Sequence, residues 1–172
     1  MNVNYSIRLA TTHDVLAIWA ILQQGIAKRK AEGSTQWQDG YPNIDVVTAD
    51  VLKGEGYVVC TNLGVIVAYM AVSANIEPAY QALQQGWLTY HEPYVVIHRL
   101  AVCQTPKITS LASWMLAQAE VLAKSFRVKS IKVDTNFDNA PMLHLFKKHG
   151  YSYAGEVYFR GSARMAFEKV LK

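Results

Sequence analysis

Three side chains able to take up a proton stand close together in the chain: Glu77 and Glu92, on a segment bracketed by Pro78, Gly86 and Pro93, and His98, within the apolar run Tyr94 to Val102 that follows. His98 is a candidate general base, and the two carboxylates are candidates on the segment leading into it. His98 shares its strand face with Val96 and Leu100, so a histidine satisfied within a core is the competing reading. Trp37, Tyr41, Tyr80 and Trp87 fall in two irregular stretches, where their rings suit core packing or the cation–π capture of an amine. Cys60 and Cys103 show no CxxC pair and no metal-like spacing, which suggests neither a disulfide framework nor a metal site and points to a reducing compartment.

The elements that must position these groups follow from the apolar periodicity. Tyr5 to Ala10 reads as a strand, and Thr11-Thr12-His13-Asp14 is a capping-box pattern ahead of a helical rhythm at Val15, Ile18, Leu22 and Ile26. Lys28-Arg29-Lys30 reads as a solvated helix end, and Thr35 to Asn43 as an aromatic loop. A second helix spans Ile44 to Lys53, and a hairpin joins Tyr57 to Thr61 and Val65 to Ser73 through Asn62-Leu63-Gly64. Residues 75 to 93 form an insertion with a helical turn over Ala79 to Gln85. Tyr94 to Val102 is a central strand, apolar except at His98 and Arg99.

A long amphipathic helix over Ile108 to Leu122 and a strand over Ser130 to Asp134 complete a βαβ unit, which requires parallel pairing. Asn139 is placed to cap a last helix that Gly150 ends, and Tyr151 to Phe159 and Arg164 to Val170 read as an antiparallel pair. The expected architecture is one α/β domain over residues 1–172, a central mixed β-sheet with helices on both faces.

With 17 basic against 13 acidic residues, the net charge of +4 suits a polyanionic small molecule as well as nucleic acid, but no groove-reading motif or basic stripe appears, so no nucleic-acid partner is expected. No apolar stretch reaches the length of a membrane span, and the opening Met1-Asn2-Val3-Asn4-Tyr5 lacks the pattern of a secretory leader; the expected setting is cytoplasmic, without a membrane partner.

The element order resembles the GNAT superfamily of N-acetyltransferases, and three segments carry the likeness in the right sequence. Val96-Ile97-His98-Arg99-Leu100-Ala101-Val102 looks like the family's fourth strand. Ile131-Lys132-Val133-Asp134-Thr135-Asn136, with Asn139-Ala140-Pro141-Met142 after it, is similar to the fifth strand and next helix start. Leu145 to Gly155 resembles the helix end and Gly-aromatic turn. The resemblance covers residues 94 to 160 by motif and the first half by element order alone.

It implies an acyl-CoA N-acyltransferase fold, acetyl-CoA as co-substrate without a metal, and a primary amine of a small molecule, peptide or protein as acceptor. The assembly stays open between monomer and homodimer. The cofactor side is implied at the backbone of Leu100, Ala101 and Val102, at the loop Lys107-Ile108-Thr109-Ser110-Leu111-Ala112, and at Asn139. The acceptor side is implied at Trp37, Tyr41, Tyr80 and Trp87.

Two departures stand out. Ile108 and Ser110 occupy positions where the family usually has glycine, and no glycine occurs between Gly86 and Gly150. Phe146 stands where the family often has the tyrosine that protonates the departing thiolate. Two readings follow for the loop. In one, Lys107 supplies a charge, and the N–H groups and hydroxyls of Thr109 and Ser110 replace part of a phosphate cradle. In the other, Thr105 caps a helix begun at Pro106, the loop is closed to phosphate, and the chain is a binding or regulatory module with weakened or lost catalysis.

Overall fold

The computed structural model describes residues 4–74, 76–83 and 86–172. The start Met1-Asn2-Val3 and the end of the expected helical turn, Gln84 and Gln85, lie outside the described residues. Seven strands are present: β1 (Tyr5–Leu9), β2 (Gly56–Thr61), β3 (Ile66–Ser73), β4 (Tyr94–Val102), β5 (Ser130–Thr135), β6 (Ser152–Phe159) and β7 (Ser162–Val170). The helices are α1 (Val15–Ala31), α2 (Ile44–Leu52), the short α3 (Pro78–Gln81), α4 (Leu111–Ser125) and α5 (Ala140–Lys148). The strands form one mixed sheet in the order β1-β2-β3-β4-β5-β7-β6. None of the described helices is long and apolar enough to cross a membrane.

Contacts divide the chain into two compact units, one made of the residues up to Val72 with Arg99–Ala112, the other of Ser73–His98 with Ser113–Lys172.

In the first unit, the β-branched runs of β2 and β3 are buried on both faces, as their unbroken apolar sequence requires. Gly64, at φ 78°, closes the β2–β3 turn with its N–H on the Thr61 carbonyl at 2.9 Å. Asp14 accepts from the backbone N–H of Thr11 at 2.7 Å and from its hydroxyl at 3.0 Å, which realises the capping pattern, although the first turn is 3₁₀ (Thr12–Asp14) before α1 begins. The Lys28-Arg29-Lys30 run is solvated only at its flanks. Arg29 is buried, bonded to Glu32 and to Ser34 Oγ at 2.8 Å, because its long side chain folds back over the helix end.

The same unit buries a charge cluster. The Arg99 guanidinium forms a two-pronged pair with Asp50, Nε to Oδ2 at 2.8 Å and Nη2 to Oδ1 at 2.7 Å, and a third N–H donates to the Tyr41 hydroxyl. Tyr69 donates to Asp50 Oδ2 at 2.6 Å. Both ionic side chains are more than nine-tenths buried. Burial alone would weaken the arginine's hold on its proton, but Tyr41 and Asp50 outweigh it and its pKa lies above the ordinary value. Arg99 also has a φ of 54°, a left-handed residue inside a strand.

In the second unit, β4 and β5 pair in parallel over Tyr94–Ser130, Val95–Ile131 and Val96–Lys132, as a βαβ connection requires. β7 lies antiparallel between β5 and β6. Tyr80, Trp87, Val96, Ala154, Val157 and Ala166 form a buried cluster. Gly86 allows this packing, since a Cβ there would come within 1.9 Å of the Ala154 carbonyl oxygen. Buried Glu168 of β7 holds the turn before β4, accepting from the N–H of Leu88 and the N–H and hydroxyl of Thr89.

Breaking the buried Arg99–Asp50 pair leaves an arginine without a counter-charge, which costs about 3–5 kcal/mol in comparable cases. Asp50→Ala is expected to lower unfolding stability by that order in urea titration, and the apolar pair Asp50→Leu with Arg99→Met to recover most of it.

Candidate functional site

The segment after β4 is pinned at its root. The Cys103 N–H donates to the Val67 carbonyl at 2.8 Å, the Gln104 N–H to Gln24 Oε1 at 2.7 Å, and the Gln104 side chain to the Val102 carbonyl at 2.8 Å. A Gln104–Lys107 bridge then closes a turn whose tip, Thr105 to Lys107, is exposed. Thr109 and Ser110 are exposed as well, and α4 starts only at Leu111, which is 1% exposed and anchors the helix. The helix does not begin at Pro106, which corrects the expected early helix start. The reason lies at Ser110, whose φ of 67° interrupts any helical run reaching Leu111 from upstream.

That dihedral is the one glycine adopts readily and an L-residue adopts at a cost of roughly 1–2 kcal/mol. Ser110 thus keeps a glycine-like backbone without the glycine. Beyond it the N–H groups of Leu111 and Ala112 open the helix without intrahelical acceptors, at its positive end. An exposed basic residue, two exposed hydroxyls and a helix start are the parts of an anion cradle.

In the second unit, His98 Nε2 lies 3.5 Å from Glu77 Oε2, with the two side chains 17% and 20% exposed. Glu77 is fixed in turn: its Oε1 accepts from the Ala79 N–H at 3.3 Å, capping α3, and its own N–H donates to the Tyr94 hydroxyl at 3.3 Å. Tyr80 donates to Asp134 Oδ1 at 2.6 Å. Burial holds the Asp134 carboxyl above its usual range, opposed by the Tyr80 bond and the charges of His98 and Arg164. Burial, then Asp134, pushes the Tyr80 phenol well up. A largely buried imidazole beside one carboxylate is a candidate general base.

Of the three candidate bases, the fold brings His98 and Glu77 together. Glu92 stands instead on the exposed turn before β4, where it lines a cleft of about 820 Å³ with Tyr90, His91 and Pro93. Asn139 caps α5, its side chain accepting the Met142 N–H at 3.4 Å. Phe146 is 2% exposed and packs against Tyr151 and Phe167 with ring centroids 5.5 and 5.3 Å away. The Tyr151 hydroxyl is buried without a hydrogen-bond partner among the described residues, and burial raises its pKa.

Two of the four candidate acceptor aromatics hold cations of the chain itself. Tyr41 bonds Arg99, whose guanidinium carbon lies 5.9 Å from the ring centre, and the Lys132 ammonium lies 4.3 Å from the centre of a Trp87 ring. Tyr80 and Trp87 pack together at 5.1 Å, and Trp87 Nε1 donates to the Tyr80 carbonyl at 2.9 Å. Trp37, half-buried at φ 64°, lies close over Gly25.

Sequence reading missed Asp50, Arg99, Lys132 and Asp134. The signal for the last two was present: charged residues alternating along the otherwise apolar β5. Asp50 gave none, because its partner is 49 residues away.

Comparison with known proteins agrees with this arrangement. The profile of the acetyltransferase (GNAT) family matches residues 24–151. A GNAT-family acetyltransferase of Streptococcus agalactiae is 31% identical, with 98% of this chain and 96% of that one covered and a TM-score of 0.88. A GNAT-family acetyltransferase of Listeria monocytogenes is 21% identical over 97% and 95% of the chains, at 0.78, and an N-acetyltransferase of Staphylococcus aureus 20% identical over 98% and 99%, at 0.70. No functionally curated protein matches the sequence.

The left-handed Ser110 yields a direct test. Ser110→Gly relieves the backbone cost and is expected to stabilise the fold by about 1 kcal/mol, whereas Ser110→Val is expected to destabilise it. Thermal unfolding of the two variants measures both.

Proposed function

The chain belongs to the acetyltransferase (GNAT) family, and from that premise we propose that it transfers an acetyl group from acetyl-CoA to a primary amine of a small molecule, peptide or protein. The observation that carries the reading is the loop before α4: glycine-like at Ser110, exposed from Thr109 to Ser110, and free of helix until Leu111. These residues fit a pyrophosphate. Lys107 supplies the charge, Thr109 and Ser110 supply N–H and hydroxyl donors, and the opening of α4 adds Leu111 and Ala112.

Bound acetyl-CoA supplies an activated acyl thioester. The backbone of Leu100, Ala101 and Val102 lines the acyl arm and donates to the oxygen on which charge develops. His98, two residues before Leu100 on the same strand, takes the proton from the amine, while Glu77 orients the ring and stabilises its cation. Phe146 carries no proton, so the departing thiolate takes one from protonated His98 or from water. Asn139, which caps α5, is the further cofactor-side residue that membership of the family suggests. A reducing, cytoplasmic setting suits Cys60 and Cys103, both free and buried.

The competing reading, a binding module without turnover, draws on Phe146. Calorimetry with acetyl-CoA, followed by thiol release over a panel of amines, separates the two. Saturable binding that Lys107→Ala weakens about tenfold, with thiol release that His98→Gln lowers about 10²–10⁴-fold in kcat, is the expected result. Binding without thiol release from any amine favours the module; absence of binding at millimolar acetyl-CoA removes both the cofactor assignment and the enzyme.

A further inference from the structure

Lys132 is a charged residue in a place that charge avoids. It is 1% exposed, and its ammonium stands 4.3 Å from the centre of a Trp87 ring and 3.9 Å from that of Tyr94. Ring faces attract a cation but accept its N–H donors only weakly. Among the described residues no oxygen accepts a hydrogen bond from Lys132 and no carboxylate pairs with it within 4.0 Å. Glu168 acts on it electrostatically, but that carboxylate is already engaged by Leu88 and Thr89. Burial lowers the pKa of this ammonium, and the charge of Glu168, which stands opposite Lys132 on β7, opposes that shift.

The same side chain forms part of the wall of the cleft of about 820 Å³ in the second unit. That size lies within the range of small-molecule sites. Ile76, Tyr90, Phe126 and Val128 make much of its surface apolar and aromatic. Tyr90 and Phe126 are partly solvent-exposed, at 38% and 37%. The other charged lining residue is Glu92, a carboxylate, with His91 beside it. One lysine against one glutamate disfavours phosphates and other multiply charged anions. An aromatic wall around one ammonium favours a flat monoanion. No lining residue belongs to the loop from Leu100 to Ala112.

We propose that this cleft is a second ligand site, for an aromatic monocarboxylate whose carboxylate accepts from the Lys132 ammonium and whose ring lies among Tyr90, Tyr94 and Phe126. The carboxylate supplies a hydrogen-bond acceptor that Lys132 does not have among the described residues, and the rings supply apolar area. His98, Glu77 and the loop from Leu100 to Ala112, which carry the proposed acetyl transfer, do not line the cleft.

Calorimetry with indole-3-acetate and 3-phenylpropionate, on the full chain without acetyl-CoA, tests it. Saturable binding at submillimolar to millimolar concentration is expected, weakened about ten- to a hundredfold by Lys132→Met, in line with loss of a charge-assisted hydrogen bond. Lys132→Met removes a buried charge while keeping the side chain's length, and its melting temperature is expected to equal or exceed that of the parent, which certifies the fold. Phenethylamine, with the same ring and the opposite charge, is expected not to bind. The proposal is overturned by absence of saturable binding for both carboxylates at millimolar concentration, by equal affinity in Lys132→Met, or by phenethylamine binding as tightly as 3-phenylpropionate. Should Lys132→Met fail to fold, Phe126→Ala, at a partly exposed wall residue, gives the second arm: undiminished carboxylate affinity in that variant equally overturns the site.

Discussion

A guanidinium buried beside a carboxylate governs the strand from which the candidate chemistry departs. Arg99 leaves the β region at φ 54°, and its side chain at that point is held by two bonds to Asp50 and one to Tyr41. A left-handed residue inside a strand breaks the two-residue alternation and re-aims the backbone beyond it. Such a conformation persists only where its surroundings over-determine it, and a fork of charged hydrogen bonds does so. Leu100 to Val102 and the loop to Ala112 follow from that turning point. The pair's contribution is therefore to geometry more than to net stability, because the cost of burying two charges largely offsets their attraction.

The second unit applies the same rule with different partners. Glu168 receives the donors of the Leu88–Thr89 turn, Asp134 receives the Tyr80 hydroxyl, and Glu77 stands opposite His98 while it caps α3. Lys132 and Asp134 lie two apart on β5 and hence on one face, and the Lys132 ammonium lies against the rings of Trp87 and Tyr94, with Glu168 opposite it on β7. Glu77 to Leu83 and Gly86 to Pro93 are thus fastened by polar bonds as well as by the Tyr80–Trp87 packing, and Gly86 allows close approach to the Ala154 carbonyl.

Much of the fold was legible in the chain because it rests on local pattern. The apolar run of β4 has the bounds its sequence suggests, Gly64 and Gly150 close their elements, and Asn139 caps α5. The start of α4 was not legible. Thr105-Pro106 carries a strong local signal for a helix start, yet the helix waits for Leu111, since the Gln104–Lys107 bridge and the dihedral of Ser110 are set by the way the chain leaves β4. The candidate site was legible in part: His98 and Glu77 were visible as residue types, while the partners that fix or perturb them were not.

The sequence by itself determined the order of elements, the parallel β4–β5 pairing, the capping residues, and the residue types available for proton transfer and anion binding, because periodicity and cap chemistry act within a few residues. Only tertiary structure decided that a serine takes a glycine's backbone, that Tyr41 and Trp87 lie against Arg99 and Lys132, and that Glu77 rather than Glu92 meets His98. Those outcomes depend on charges and rings brought together from residues dozens of positions apart. Pairing of that kind is set by burial, where an unpartnered polar group is costly, and no local pattern encodes it.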